Sequence, residues 1–579
     1  MTTSPELDGR QWGSDAMAVA IRRTGVPYVA LTPGASFRGL HDSLVNRLGN
    51  RAPEMLLCLH EEHAVAIAHG YAKATGSPLA TVVHSNVGLM HASMAVFNAY
   101  ADRTPVLLIG ADGPADAARR RPWIDWLHTA ADLGALVRGF VKWDDRAASP
   151  AAAVSSILRG HQLTCSAPTA PTFVGLDVAA QETEIDSSTI TYPALEPYVA
   201  PRAATEDLVR AAHALRDAQR VVILAGRVSR ERDDWERRVQ LAEALDARVI
   251  THHKLGAAFP TDHPAHAGLP SFKVDPANRA LLAEADVIVS LDWLDLGGAL
   301  QGLALDPGQP RTIIHASIEH LLVNGANKLD YTPVAVDVML ATSPDLAVSE
   351  LLELLETPAA GPASAASEPD EPPVWEGDLP DPITTTYLQH ALRAAVDHQP
   401  VTLIRVPFGW DFSWWPLRDP LDYLGGDGGG GVGGGPGMAV GAALGLRDSD
   451  RLPVAVLGDG DFLMGATALW TAAHHDIPLL VVIGNNSSYY NDEVHQSAVA
   501  ATRGRPQANA HIGLRIDEPA PDLAGLARAQ GFTAFGPHTE AGALTDTLRE
   551  AVALVRAGGR AFVDVHVQRG YAATSPKAD

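Results

Sequence analysis

Two short polar segments that directly follow apolar runs constrain this chain more than any other feature. Residues 458–460 read Gly-Asp-Gly and follow the apolar run 454–457, and residues 484–486 read Gly-Asn-Asn and follow the run 479–483. Short apolar runs bounded by turn-forming residues predict buried strands, and glycine permits the tight turn that ends each one. We therefore predict two neighbouring strands of a parallel sheet, each with oxygen-bearing side chains at its carboxyl end.

The residues between the two segments complete a βαβ unit. A helix is predicted there because four apolar residues repeat at helical spacing: Leu463, Ala466, Trp470 and Ala473. Ligands of open α/β sheets collect at the carboxyl edge of the sheet, and a carboxylate together with an amide oxygen suits a hard cation such as Mg²⁺. Asp459 and Asn486 are therefore predicted to hold a metal ion that binds a diphosphate.

Each segment alone has a simpler interpretation, because a tight turn or a strand-ending loop produces the same short motif by chance. The pair favours the metal site, since the 26 residues between Asp459 and Asn486 suit one helix and one strand. With this spacing the pair resembles the metal and diphosphate motif of thiamine diphosphate-dependent enzymes. The resemblance implies that Mg²⁺ is held by Asp459, Asn486 and the backbone carbonyl of Ser488. It also implies that Gly458 and Gly460 lie against the cofactor.

Composition argues against several classes of function. The chain has a net charge of −24, so we do not expect it to bind nucleic acid or an anionic membrane surface. Its two cysteines, Cys58 and Cys165, provide no disulfide framework. The N-terminal residues carry no signal pattern, and no apolar run is long enough to span a membrane. These features together predict a cytoplasmic enzyme.

Apolar runs that alternate with helical segments predict three α/β domains, each with a mainly parallel central sheet flanked by helices. The predicted strands include residues 28–31, 55–59, 79–83 and 105–109 in the first domain and 221–226, 247–251 and 287–290 in the second. We place the domains at residues 8–186, 203–355 and 379–567, with a linker at 356–378 and a tail at 568–579. The resemblance implies, in that order, a pyrimidine-binding domain, a Rossmann-like middle domain and a diphosphate-binding domain.

Glu61 is the predicted N-terminal half of the active site. It begins a predicted helix that continues through Gly70-Tyr71-Ala72, and an isolated glutamate there would do no more than complement the helix dipole. The family places a glutamate nine residues before a Gly-Tyr-Ala sequence, which identifies Glu61 and not Glu62. The resemblance implies that Glu61 bonds the aminopyrimidine ring of thiamine diphosphate and promotes deprotonation of the thiazolium carbon.

His84 follows the third predicted strand, at a position where benzoylformate decarboxylase-like members carry a His-Ser pair. It is therefore a candidate proton donor or acceptor, and a loop histidine bonded to backbone is the equally weighted alternative. The segment 32–36 ends the first predicted strand, where its backbone amides could face substrate. We interpret His63 and His91 as surface or packing residues.

The glycine tract at residues 425–437 can be interpreted in two ways. It could be a flexible low-complexity loop, because ordering so many glycines costs conformational entropy. Alternatively, it is similar to the run in oxalyl-CoA decarboxylase and 2-hydroxyacyl-CoA lyase relatives, where a bulky apolar residue supports the bent cofactor. Val432 takes that position here, with a shorter side chain than usual.

Residues 487–496 depart from the glycine-rich pattern that the family shows after its metal motif. In the family this segment passes over the reactive face of the cofactor, so an acidic side chain here could reach the reacting carbon. Glu493 is the predicted acid–base group, with Asp492 second and His495 as support. The alternative is that both carboxylates cap a helix that starts near Val494.

The preferred activity is reversible cleavage of a 2-hydroxyacyl-CoA into formyl-CoA and a ketone or aldehyde. The alternatives are decarboxylation of a 2-oxo acid of the benzoylformate type, acetolactate-type carboligation, and a non-catalytic relative. Arg227, Arg405 and Arg503 are the only suggestions for residues that bind CoA phosphates. The family builds each site from Glu61 of one subunit and Asp459 of another, which implies a homodimer at least and favours a homotetramer.

Overall fold

The computed structural model describes residues 10–303, 311–322, 334–356, 374–426 and 428–570. Three parallel sheets with helices on their faces organise this part of the chain, together with one short antiparallel ribbon. The α/β fold with three parallel sheets is therefore confirmed. Residues 357–373 of the predicted linker and 571–579 of the predicted tail lie outside the described residues, and the domain boundaries remain predictions.

The N-terminal sheet has six strands in the order β3-β2-β4-β5-β7-β6, and every neighbouring pair is parallel. Its elements are β1 (Gln11–Trp12), α1 (Gly13–Arg23), β2 (Tyr28–Leu31), α2 (Arg38–Asp42), β3 (Glu54–Leu57), α3 (Glu61–Thr75), β4 (Ala80–His84), α4 (Ser85–Ala101), β5 (Leu107–Asp112), β6 (Trp143–Ala147), α5 (Pro150–Cys165), β7 (Thr172–Asp177), α6 (Val178–Gln181) and β8 (Glu184–Ile185). Strands β4, β5 and β7 are apolar and almost fully buried, as expected for a sheet covered on both faces. Strands β1 and β8 form the antiparallel ribbon.

The middle sheet has five parallel strands in the order β10-β9-β11-β12-β13. Its elements are α7 (Thr205–Asp217), β9 (Val221–Ala225), α8 (Arg232–Ala244), β10 (Arg248–Thr251), α9 (Pro276–Glu284), β11 (Val287–Leu291), α10 (Leu296–Leu300), β12 (Thr312–Ala316), β13 (Val338–Leu340) and α11 (Pro344–Leu354). The predicted strands 221–226, 247–251 and 287–290 are confirmed to within one residue at each end.

The C-terminal sheet has five parallel strands in the order β14-β15-β16-β18-β17. Its elements are α12 (Thr385–Val396), β14 (Val401–Arg405), α13 (Gly435–Gly445), β15 (Leu452–Gly458), α14 (Asp459–Gly465), α15 (Ala468–His474), β16 (Leu479–Asn485), α16 (Tyr490–Thr502), α17 (Leu523–Ala529), β17 (Thr533–His538), α18 (Leu544–Arg556) and β18 (Arg560–His566). Strands β15 and β16 pair in parallel, so the predicted βαβ unit is confirmed.

The helical segment inside that unit differs from the prediction in two respects. It is two short helices rather than one, and the break follows Gly465, where a methyl group would lie 2.3 Å from the carbonyl oxygen of Gly433. The residues that are most deeply buried are also not the predicted ones but their neighbours: Phe462, Ala468, Leu469 and Ala472. Close approach of the glycine tract therefore decides where the helix breaks and which side it buries.

Helices α3 and α13 join the N-terminal domain to the C-terminal domain. Their backbones approach so closely that a methyl group at Gly70 would lie 2.0 Å from the carbonyl oxygen of Met438. Likewise, a methyl group at Gly441 would lie 1.9 Å from the carbonyl oxygen of Ile67. A hydrogen bond of 2.8 Å between His63 Nε2 and Thr467 Oγ1 adds a polar link, so His63 is the packing residue that the sequence predicted. The glycines thus fix the position of the two domains relative to each other.

Candidate active site

The predicted metal ligands meet at the carboxyl edge of the C-terminal sheet. The backbone N–H of Ser488 donates to Asp459 Oδ2 at 3.1 Å and to Asn486 Oδ1 at 3.0 Å. Because both oxygens accept from one N–H group, the carboxylate and the amide oxygen lie side by side. Strand β15 places Asp459, and the turn after β16 places Asn486 and Ser488, with Ser487 in the left-handed backbone region at φ 55°. The structure therefore brings together the three residues that the sequence selected.

Asp459 has the burial and the raised pKa of a carboxylate that could bind a cation. It is only 4% exposed, and burial raises its pKa to about 6. Hydrogen bonds from the N–H groups of Gly460 and Ser488 lower the pKa and so partly oppose the effect of burial. Within the described residues, no cationic side chain forms an ion pair with it. A buried carboxylate beside an amide oxygen suits Mg²⁺, which takes oxygen ligands and keeps open positions for phosphate and water. The residues present therefore fit the metal that the sequence predicted.

The glycines of the site differ in what surrounds them. A methyl group at Gly460 would lie 2.5 Å from the ring of Tyr489, whereas the position beside Gly458 is open. An open position beside the predicted metal ligand leaves room for a bound group. Gly460 instead permits the close packing of Tyr489 against the start of α14.

The glycine tract is held in place by specific contacts. The N–H of Gly433 donates to Asp461 Oδ1 at 2.7 Å, and Arg405 Nε lies 3.1 Å from Asp461 Oδ2. The N–H of Gly429 donates to Asn98 of helix α4 at 3.0 Å. Val432, within the same tract, is 42% exposed.

Glu61 begins α3 and is buried, as predicted. Helix α4 supplies its neighbours: His91 Nδ1 lies 3.0 Å from Glu61 Oε2, and a methyl group at Gly88 would lie 3.1 Å from Glu61 Oε1. Gly88 and His91 are three residues apart and so share one face of the helix. His91, interpreted above as a surface or packing residue, therefore contacts the predicted catalytic carboxylate.

His84 ends β4 and belongs to a polar cluster that also includes one backbone N–H group. Its Nδ1 lies 2.7 Å from Ser36 Oγ and 3.4 Å from the N–H of Ser36, and its Nε2 lies 3.2 Å from His128 Nδ1. Because a backbone N–H can only donate, Nδ1 is the acceptor, and Nε2 carries the proton that it donates to His128. Burial lowers the pKa of His84, and His128 lowers it further, whereas the charge of Glu61 raises it. A neutral imidazole with a fixed tautomer is the result.

Glu493 is the carboxylate of its segment that turns inward. It is buried, whereas Asp492 and His495 are exposed. Its Oε1 accepts from Ser488 Oγ at 2.5 Å, and Arg515 Nε lies 3.4 Å from the same oxygen. The alternative, a capping role for both carboxylates, is wrong, because α16 starts at Tyr490 and has no side-chain cap; both carboxylates lie in its first turn. Glu493 thus touches the metal loop directly.

The side-chain contacts of Ser36, His91 and His128 were not predicted from the sequence. His91 left one local signal, since it follows Gly88 by three residues on one helix face. Ser36 and His128 left none, because they are 48 and 44 residues from His84 along the chain and meet it only in the folded sheet.

The two halves of the predicted site remain separate within one chain. No hydrogen bond or ion pair among the described residues joins Glu61 to Asp459, Asn486 or Glu493. Leu59 and Met90, which neighbour Glu61 and His91 in sequence, are 46% and 55% exposed, and Met464 near the metal edge is 56% exposed. No helix in the described ranges is long and apolar enough to cross a membrane.

Comparison with known proteins agrees with this arrangement. Three family profiles match: "Thiamine pyrophosphate enzyme, N-terminal TPP binding domain" over residues 11–134, "central domain" over 208–342, and "C-terminal TPP binding domain" over 409–565. The first match contains Glu61 and His84, and the third contains Asp459, Asn486 and Glu493.

Individual relatives are distant but extend over most of the chain. An acetolactate synthase of Bacillus subtilis is 24% identical over 567 residues, which covers 91% of this chain and 92% of the relative. A protein of Pseudomonas aeruginosa named probable 2-ketoarginine decarboxylase is 26% identical over 507 residues, with 82% of each chain covered. The solved structure of a thiamine diphosphate-dependent 4-hydroxybenzoylformate decarboxylase from Rhodococcus jostii has a TM-score of 0.78 at 20% identity, and the match covers 97% of this chain and 100% of that one. This chain therefore belongs to the thiamine diphosphate enzyme family.

Proposed function

We propose that this protein is a thiamine diphosphate- and Mg²⁺-dependent enzyme that decarboxylates a 2-oxo acid. The observation that carries the proposal is the cluster of Ser36, His84 and His128 at the carboxyl edge of the N-terminal sheet. The bound cofactor would supply the electron-accepting ring that carbon–carbon cleavage beside a carbonyl requires. Asp459, Asn486 and Ser488 would hold the metal and diphosphate, and Glu61 would bond the pyrimidine ring.

The cluster suits the proton transfer that must follow loss of CO₂. Ser36 donates to His84, and His84 donates to His128, so a proton can pass along a chain of two hydrogen bonds. The decarboxylases among the relatives support the same assignment.

A CoA thioester substrate receives less support. Arg227, suggested above for CoA phosphates, forms ion pairs with Asp292 at 2.8 Å and with Glu319 at 3.0 Å. Arg405 is paired with Asp461 at 3.1 Å. Both guanidinium groups are largely buried beside carboxylates, so their charge is already neutralised.

Replacement of His84 by Phe tests the proposal. We expect release of CO₂ from an aryl 2-oxo acid to fall by about 10²-fold, the usual contribution of one proton-transfer group. Phe preserves the ring volume against Gly34, so thiamine diphosphate affinity should change little. Because burial lowers the pKa of His84 below 6.5, the rate of the wild-type enzyme should decline only on the acid side of that value.

The control for this experiment is His398→Phe, which alters a histidine whose side chain is 85% exposed and should leave the rate unchanged. An unchanged rate in His84→Phe would remove His84 from the reaction. Absence of CO₂ release from any 2-oxo acid by the wild-type protein would contradict the proposed function itself.

Reversible cleavage of a 2-hydroxyacyl-CoA to formyl-CoA is the second candidate, and acetolactate-type carboligation is a variant of the first. Burial of Glu493 beside Ser488 favours the lyase, because that reaction needs a base for the hydroxyl proton close to the metal loop. If the lyase is correct, Glu493→Gln should lower formyl-CoA production by about 10²-fold. Asp492→Asn, at the exposed neighbouring position, should have no effect.

The alternative for Glu493 is support of the metal loop through Ser488 and Arg515. In that case Glu493→Gln would raise the Mg²⁺ concentration needed for half-maximal CO₂ release, and no formyl-CoA would form in any variant. Product analysis by mass spectrometry therefore separates the two candidates.

We also propose that the smallest active assembly is a homodimer and that two dimers associate to form a homotetramer. Among the described residues no hydrogen bond or ion pair joins Glu61 to Asp459 within one chain, and Leu59, Met90 and Met464 near them are exposed. Contact with a second copy would bury these apolar side chains and bring Glu61 of one subunit towards Asp459 of the other.

A further inference from the structure

The Glu61 carboxylate is surrounded by groups that the proposed reaction has not yet used. His91 Nδ1 lies 3.0 Å from Glu61 Oε2, and Gly88 leaves room for Oε1 on the same face of α4. Since an ionised carboxylate only accepts hydrogen bonds, Nδ1 of His91 carries the proton. One oxygen of the Glu61 carboxylate, Oε2, is thus held by a hydrogen bond, while the other, Oε1, lies beside Gly88, which has no side chain.

His60 fixes the ring of His91 in turn. The two imidazoles are stacked, with centroids 4.9 Å apart and an angle of 21° between their planes. The tautomer of His60 is set by the N–H of Glu62, which donates to His60 Nδ1 at 3.1 Å. Burial lowers the pKa of His60, and the neighbouring His91 lowers it further, so this ring is neutral at neutral pH. The stack therefore consists of oriented rings rather than two repelling cations.

We propose that His91 is a positioning residue that holds the Glu61 carboxylate in the orientation needed to bond the cofactor, with His60 as the support of its ring. This inference rests on the proposed role of Glu61 and deepens it. A hydrogen bond from His91 to Oε2 leaves Oε1 as the oxygen free to bond a pyrimidine nitrogen. It also lowers the entropy cost of cofactor binding, because the carboxylate is already oriented.

A metal ion at this position is the competing interpretation. His60, Glu61 and His91 are the only group in the described part of the chain in which three such ligand atoms lie within 4.8 Å of one another. However, His60 Nδ1 already accepts from a backbone N–H, and His91 Nδ1 already donates to Glu61. Metal binding through those atoms would sacrifice both bonds, so the hydrogen-bonded arrangement is favoured.

Two substitutions at His91 test the inference. His91→Asn places an amide N–H where the imidazole Nδ1 lies, whereas His91→Leu keeps the bulk and removes the donor. The readout is the dissociation constant of thiamine diphosphate with saturating Mg²⁺, measured by calorimetry on the otherwise intact protein. We expect His91→Leu to weaken binding of thiamine diphosphate by about tenfold. This loss is modest for a hydrogen bond to a charged group, because the His91 side chain is 58% exposed and the bond is partly screened by water.

The Asn variant should stay within about twofold of wild type, since it restores the hydrogen bond. An unchanged dissociation constant in His91→Leu, or an equal loss in both variants, would overturn the inference. A zinc ion that binds the apoprotein at one equivalent, and is lost in His60→Gln, would also overturn it in favour of a metal site.

A double-mutant cycle shows whether His91 acts through Glu61. In a Glu61→Ala background, His91→Leu should change cofactor affinity by less than about twofold, because no acceptor for His91 remains at position 61. Persistence of the full loss would show that His91 acts independently and would contradict the inference. Since the measurement follows cofactor binding and not turnover, it remains interpretable even if 2-oxo acid decarboxylation proves to be the wrong reaction.

Discussion

Asp459→Asn is expected to lower turnover by at least about 10³-fold, because the several kcal/mol that a bound cation contributes depend on its carboxylate ligand. The amide is nearly isosteric with the carboxylate but lacks its charge, so Mg²⁺ and the diphosphate lose their principal anchor. Thiamine diphosphate binding, followed by calorimetry at increasing Mg²⁺, should weaken in parallel with the loss of activity.

The same substitution should not unfold the protein. Asp459 is buried without a cationic partner in the described structure, so removing its charge relieves a desolvation cost. The thermal midpoint of the apoprotein should therefore be unchanged or higher. Asp476→Asn is the matched control, since that side chain is 88% exposed and precedes β16, at the opposite end of that strand from Asn485. Normal cofactor affinity in Asp459→Asn would show that the metal lies elsewhere.

Glu61→Gln is expected to lower turnover by about 10³-fold, within the range found for loss of a proton-transfer group. The amide retains the shape of the side chain, and it can still accept a hydrogen bond from His91 Nδ1. It cannot supply the negative charge that favours a proton on the cofactor ring. Steady-state rates with saturating thiamine diphosphate and Mg²⁺ measure the effect separately from binding.

Glu62→Gln serves as the control, because Glu62 lies in the same first turn of α3 but is partly exposed. It should leave the rate within about twofold, since surface changes of this kind have small effects. Mixing Glu61→Gln and Asp459→Asn subunits adds a test of the assembly. If each site uses both subunits, random exchange should restore about a quarter of the sites. No recovery after verified exchange would contradict a site shared between subunits.

The sequence was most informative where function depends on chain-local geometry. Strands β15 and β16 are apolar runs that end at glycines, and any parallel pairing of them places Asp459 and Asn486 at one edge. Glu61 was recognisable because its nine-residue distance from Gly70 lies within one helix, α3. Such features can be recognised in the sequence because secondary structure is set by residues that are close along the chain.

Predictions from local sequence patterns were wrong where a segment distant in the chain packs against the element. A regular apolar spacing predicted one helix after Asp459. The first helix nevertheless ends at Gly465, because Gly433 of the glycine tract packs against that residue. Likewise, the alternative in which both carboxylates cap a helix that starts near Val494 fails, because the helix starts at Tyr490, and its first turn buries Glu493 against Ser488 and leaves Asp492 in solvent. Periodicity cannot report which neighbour occupies the space beside a helix.

The sequence by itself thus determined the α/β fold and the thiamine diphosphate family, and it predicted the residues that would hold the cofactor. Only the tertiary structure decided that Ser36, His84 and His128 form one hydrogen-bonded cluster and that His91 lies against Glu61. The physical reason is that packing of the sheet and its helices brings together residues 30 to 48 positions apart, and hydrogen bonds between such segments leave no periodic trace in the chain.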